Sequence, residues 1–168
     1  MTKKHISFSE LKIWAECPYK HKLKYIDKIS GFTGNIFTAF GTAIHNVCEN
    51  IAKGDLEPID YNEFFDLNFL AELQKLEEKP DNKMIKDFRQ QGKEIPPEVF
   101  PQLKNHFGKF KVFSTEESLY QKIDELKFEH YLKGFIDLVI QTEDGKYHIF
   151  DWKTCSWGWD AEKRSERL

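Results

Sequence analysis

Residues 134–154 read GFIDLVIQTEDGKYHIFDWKT. Two apolar runs flank an Asp-Gly pair, which is the strongest short-range signal for a β-hairpin. The first run is apolar on both faces apart from Asp137, as expected of a central strand covered by helices on each side. Loop length then decides which residues meet. A two-residue Asp-Gly turn pairs Glu143 with Lys146 and sets Asp137 opposite Trp152. A three-residue loop, with Gly145 in the left-handed region, pairs Thr142 with Lys146 and sets Asp137 opposite Asp151. In that second register one face carries Phe135, Asp137, Val139, Ile149, Asp151 and Lys153. The other carries Ile136, Leu138, Ile140, Phe150 and Trp152. The second register is the one expected, because it gathers the charges into a cluster.

Directly opposed Cβ atoms sit about 5 Å apart, so two carboxylates there repel unless a cation lies between them. Carboxylate oxygens suit a hard divalent cation. Such a cation stabilises charge on phosphoryl oxygens and activates a water, the requirements of phosphodiester cleavage. Lys153 points to the same side and could orient or deprotonate that water. Asp-x-Lys alone is common by chance. At a strand end, hairpin-linked to a second inward aspartate, it is far more specific.

Upstream of this hairpin the pattern is helical to about residue 110. Ser7 or Ser9 can cap a helix running to about Tyr25, with Leu11, Trp14, Ala15, Leu23 and Tyr25 as its apolar side and a kink or break at Pro18. Thr38 is expected to cap a second helix, in which Phe40, Ile44, Val47 and Ile51 form an apolar stripe. Helical patterns also cover about Tyr61 to Glu78, Lys83 to Gln91 and Pro97 to Phe110, separated by the turn-like KPDNK and GKEIPP. From about Lys111 the period becomes strand-like, in VFSTEESLYQKI, KFEHYLKGFIDLVIQ and KYHIFDWKT.

Composition narrows the class. A chain of 168 residues, 40% hydrophobic and 32% charged, describes one globular domain. No apolar run approaches the roughly 20 residues of a membrane span. The odd set Cys17, Cys48 and Cys155 lacks any Cys-x-x-Cys pair, which fits a reducing cytoplasm. A net charge of −3 gives no global pull toward polyanions, so a nucleic-acid site would need a local concentration of Lys and Arg.

GFID followed by IFDWKT resembles the core motif of the PD-(D/E)XK nuclease superfamily. SFSELKIWAECPYKHKLKYI is similar to the opening helix of its RecB-like branch, and FGTAIHNVCE resembles that branch's Gly-x-x-x-His helix. The ordered motifs span about residues 7 to 154. The resemblance implies an α/β fold, a restriction-endonuclease-like mixed β-sheet flanked by helices with a helical N-terminal region. Residues 1–168 would form one nuclease domain, mainly helical over 1–110 and with the sheet core in 111–168.

By the same resemblance His45, Asp137 and Asp151 would be metal ligands, the Trp152 backbone carbonyl would complete the shell, and Lys153 would be the catalytic lysine. Glu117 would be the glutamate of the preceding strand, since it alternates in phase with Leu119 and Ile123; Glu116 is the fallback. The implied reaction is in-line attack on phosphorus by a metal-activated water, leaving a 5′-phosphate and a 3′-hydroxyl. The cofactor would be Mg²⁺ or Mn²⁺, the substrate DNA, and the setting cytoplasmic, in bacterial recombination, repair or phage DNA processing.

Plainer readings compete at several of these positions. His45 could be a core-edge residue, and Asp151 and Lys153 a simple strand-end ion pair. Glu49, one turn after His45, reads as a solvated or supporting carboxylate. The basic, aromatic run YKHKLKYIDK (19–28) is either a solvated face or a phosphate contact. Trp157 and Trp159 could stack on bases but fit packing better. Two departures from the family stand out. Cys17 matches the first cysteine of an iron–sulfur site in some relatives, but no C-terminal trio follows, so no cluster is expected. The branch also continues past Asp-x-Lys with a Gln-x-x-x-Tyr-like helix and another strand. Here SWGWDAEKRSERL reads as the start of that helix, and the rest would be missing by truncation, supplied by a partner chain, or replaced by a different closure.

Overall fold

The computed structural model describes residues 5–29, 31, 34–122, 124 and 130–154. Strand β1 (His5–Ser7) leads directly into helix α1 (Phe8–Glu16), whose N-cap is Ser7, its hydroxyl accepting from the Glu10 amide. Pro18 breaks the run as expected: Cys17 is extended, and a short α2 (Pro18–His21) continues as a π-helical turn, Lys22–Ile26. Of the expected apolar side of α1, Leu11 and Trp14 are exposed. The helix buries Glu10 instead, which is held by His21 Nε2 at 3.1 Å.

Helix α3 (Ile36–Lys53) begins one turn earlier than a Thr38 cap would allow. Asn35 is the N-cap, and Thr38, at the third helical position, returns a bond to the Asn35 amide. This reciprocal capping box satisfies two amides that a lone Thr38 cap would leave open. The predicted stripe holds, with Phe40, Ile44 and Val47 buried and Ile51 packed beside them. It meets Phe65 and Phe69 of α4 (Tyr61–Gln74) and Phe88 of α5 (Asn82–Phe107) in a cluster of edge-on rings. Buried at its side, the Cys48 thiol is pushed up to about 12, which keeps it protonated and inert near neutral pH.

The turn expected at GKEIPP is absent. Helix α5 runs straight through Pro96, Pro97 and Pro101, although each removes a donor and costs about 3 kcal/mol in a helix interior. Tertiary packing overrides that local preference: Pro96 is fully buried, and Gly92 lies directly against the Phe65 ring. Between the helices Asp66 accepts two bonds from Arg89, at 2.9 and 2.8 Å, and pairs with Lys93 at 2.7 Å. These partners, Arg89 foremost, hold the Asp66 carboxyl below its usual range. Its contribution is therefore complete above the unfolded carboxylate pKa and is lost as pH falls through the lower folded value. Asp66→Asn should destabilise the fold by about 1–3 kcal/mol at neutral pH and flatten the acid limb of the stability profile; urea unfolding between pH 7 and pH 3 reads both.

The sheet is mixed. Long β2 (Phe110–Lys122) pairs antiparallel with central β3 (Tyr131–Thr142) along one edge. On the other edge β3 pairs parallel with β1 near its start and antiparallel with β4 (Tyr147–Phe150) near its end. The N-terminal strand had no signal in the sequence beyond three residues. The hairpin adopts the three-residue register: the Thr142 amide donates to the Lys146 carbonyl, Gly145 has φ +81°, and Leu138 pairs with Phe150. Leu138, Val139 and Ile140 are buried, but Phe135 is exposed, so helical cover on both faces is limited to the later half of β3. Among the described residues no helix is long and apolar enough to cross a membrane. The helix expected from SWGWDAEKRSERL, with Cys155, Trp157 and Trp159, lies outside the described residues.

Candidate active site

The antiparallel ladder between β3 and β4 ends at Leu138–Phe150. Two residues past Phe150, a side chain takes over from the backbone: the Trp152 amide donates to Asp137 Oδ2 at 2.6 Å. The Trp152 carbonyl then receives His45 Nε2 at 2.6 Å, so this one residue ties the strand end to α3. Close approach there depends on Gly41, one turn before His45. A Cβ on Gly41 would lie 3.2 Å from Thr154 Oγ1, tighter than ordinary contact. The Gly-x-x-x-His spacing thus has a local physical role, with glycine admitting the strand end and histidine gripping it.

A carbonyl only accepts, so Nε2 of His45 carries the hydrogen in that bond. In its neutral form the ring turns the Nδ1 lone pair toward Asp137 Oδ2, 3.7 Å away. Two electron-pair donors facing each other need a proton or a cation between them.

Glu116 completes the group. It lies between the ladder pairs Thr115–Leu138 and Glu117–Ile136, and so stands across from Asp137. Opposed residues in an antiparallel pair share a face. Ligand atoms of His45, Glu116 and Asp137 all fall within 4.8 Å of one another. The Glu116 carboxyl is raised above its usual value, first by burial, then by repulsion from Asp137 and Glu49; His45 and Lys53 offset part of this. Glu49 is itself tied to Lys53.

The donor set fits a divalent cation. Two carboxylates and an imidazole offer oxygen and nitrogen ligands of the kind that hold a divalent metal. Ligands about 2.1 Å from one ion are at most about 4.2 Å apart, so the group needs only a small contraction to close on it.

The remaining expected site residues are placed differently. Asp151 and Lys153 pair with each other on the exposed side of the strand end, and Asp151 is outside the close group. Lys153 Nζ nevertheless reaches the Trp152 carbonyl at 3.3 Å, the same oxygen that His45 holds. Glu117 is exposed and stands across from Ile136, on the face away from Asp137. Counting in phase from Leu119 selects the face of Ile136 and Leu138. The signal that selects Glu116 instead is its opposition to Asp137, and this depends on the β2–β3 register.

Comparison with known proteins found no match among curated proteins or solved structures. A family model does match, over residues 5–166, and its description is the PD-(D/E)XK nuclease superfamily. The four-stranded mixed sheet flanked by helices has the restriction-endonuclease-like architecture of that superfamily. With nearly the whole chain matched, and a His–Glu–Asp group fit for metal at the edge of its central strand, the chain belongs to the PD-(D/E)XK nuclease superfamily.

Proposed function

We propose that residues 1–168 act as one domain that hydrolyses DNA phosphodiesters with Mg²⁺ or Mn²⁺, as a RecB-like, exonuclease-type enzyme of DNA recombination, repair or phage DNA processing. The observation that carries this reading is the convergence of His45, Glu116 and Asp137, from three different elements, within 4.8 Å. The Gly41-to-His45 helix supports the RecB-like branch. When bound, the cation would supply Lewis-acid stabilisation of the phosphoryl group and an activated water.

The chain's own groups do the rest. His45, Glu116 and Asp137 would hold the cation, and the Trp152 carbonyl keeps the imidazole oriented. Asp151 joins the ligand set if Lys153 releases it. Lys153, anchored beside the Trp152 carbonyl, presents its Nζ hydrogens to the attacking water or to a phosphate oxygen.

A second reading is a nuclease-fold module that holds DNA without cutting it. The exposed Asp151–Lys153 pair favours it, because in that arrangement both groups satisfy each other and not the cluster. Cleavage assays on single- and double-stranded DNA with each metal separate the two. Under the nuclease reading, Lys153→Ala should slow cleavage about 10²–10⁴-fold while leaving Mn²⁺ affinity unchanged. Glu116→Gln should weaken Mn²⁺ binding about 10–100-fold, and Glu117→Gln should not. Protons compete with the metal at Glu116, so affinity should fall as pH drops through that raised carboxyl value. No cleavage by the parent protein with either metal, or equal cleavage by Lys153→Ala, would sink the catalytic assignment.

A further inference from the structure

Away from the His–Glu–Asp group, the break at Pro18 opens a cavity of about 600 Å³ between α2, the π-helical turn and the segment that follows. Lys20, Lys24 and Lys28 line it together with Tyr19, Leu23 and Ile29. We propose that this cavity binds a single-stranded segment of nucleic acid, phosphates on the lysines and a base against Tyr19 and the aliphatic wall.

Three features point to that ligand. The first is charge. Neither Lys24 nor Lys28 has an ion-pair partner among the described residues, whereas the neighbouring Lys22 is taken up by Asp27 at 2.5 Å. Among the described residues, the ion pair of Lys20 is an exposed, solvent-screened contact with Glu16 at 3.5 Å. In a chain of net charge −3, three lysines around one hollow are a local departure that selects for an anion. The second is the wall. An inorganic anion needs no apolar surface, but Tyr19, Leu23, Ile29 and the lysine stems supply one. Alternating phosphate and flat, weakly polar base is the chemistry of a single strand, and aromatic stacking with backbone cations is how such strands are held without sequence preference. Paired bases present no free face to stack.

The third feature is how the hollow is built. The Cys17 thiol accepts from the Lys20 amide at 3.4 Å and so caps α2, fixing the position of that lysine's backbone. The following turn is wound as a π-helix, with the Asp27 amide reaching back to the Lys22 carbonyl and the Ile29 amide to the Leu23 carbonyl. Such turns are rare and concentrate at functional sites. This site is separate from the metal ligands; it rests on the nuclease reading only for choosing nucleic acid over other polyanions.

The test is binding of a fluorescent oligothymidine of about 20 nucleotides, followed by anisotropy in metal-free buffer over a range of salt. Cleavage plays no part in this readout, so a protein that binds but does not cut overturns the nuclease reading alone. The expected result is that Lys24→Ala/Lys28→Ala binds at least about tenfold more weakly, with its salt slope reduced by about 1.4, the share of two phosphate contacts on a single strand. Tyr19→Ala, at a side chain 67% exposed and so dispensable for folding, should weaken binding about 5- to 100-fold with the salt slope unchanged. Unaltered affinity in the double lysine variant would overturn the proposal. So would polyglutamate displacing the strand as well as unlabelled oligothymidine does, which would make the cavity a site for acidic peptide.

Discussion

Asp137→Ala should reduce metal-dependent cleavage by at least about a thousandfold, the equivalent of several kcal/mol of lost electrostatic stabilisation. Asp137 has two roles that this substitution removes together. One carboxylate oxygen offers a ligand beside His45 and Glu116. Its Oδ2 also accepts the Trp152 amide at 2.6 Å and so holds the strand end in place. Asp137→Asn separates the roles, because the amide oxygen still accepts from Trp152 but the negative charge is gone. Mn²⁺ titration should therefore find both variants defective. Urea unfolding should find only the alanine variant destabilised, by about 1–3 kcal/mol for the stranded amide. Full Mn²⁺ affinity in Asp137→Asn would remove this carboxylate from the ligand set.

The largest effect on stability is expected where α5 crosses α4. Phe65→Ala should cost about 3–5 kcal/mol, because the ring is fully buried and leaves a cavity. Its environment cannot easily collapse, since the ring stacks on Phe69 at 5.5 Å and meets Phe40 edge-on at 5.9 Å. Gly92→Ala approaches the same contact from the other side. In an exposed helix that change would stabilise by about 0.5–1 kcal/mol. Here the new methyl carbon would lie 1.9 Å from Phe65 Cζ, so the ring would have to move. A net loss of about 1–3 kcal/mol is expected. The double variant should be more stable than the sum of the two losses predicts, because alanine at 92 fills part of the space that Phe65 vacates. Strict additivity in denaturant unfolding would show that the two positions do not share that contact.

What could be read from the sequence divides by the range of the interaction. The hairpin register was legible because it depends on a few adjacent residues, TEDGK and the alternation on either side. The stripe Phe40–Ile44–Val47 was legible for the same reason, as was the break at Pro18. The continuity of α5 was not, because its prolines are tolerated only through packing against α4, and no local rule contains that partner. Strand β1 escaped notice because three residues carry no period. At the site, His45 was named from motif context, and Asp137 from the hairpin register before its motif. The prominence of Glu116 over Glu117 in the close group depends on pairing between β2 and β3, strands joined by a long connection whose register no turn residue declares. The Asp151–Lys153 ion pair was the plain reading of Asp-x-Lys, and it is the contact the two residues make.

The irregularity in β2 at Phe113, between the pairs Val112–Ile140 and Ser114–Val139, has a further consequence. Before it, the register continued without interruption would set Thr115 across from Asp137; after it, Glu116 takes that place. The surplus residue therefore gives the strand slack in length. A one-residue deletion within 113–115 can be absorbed by flattening the bulge, while the long ladder beyond it keeps Glu116 facing Asp137. Past Glu116 no such slack exists, and the same deletion must break pairs. The strand thus tolerates insertions and deletions unequally along its length, and the boundary falls beside the carboxylate most exposed to a change of phase.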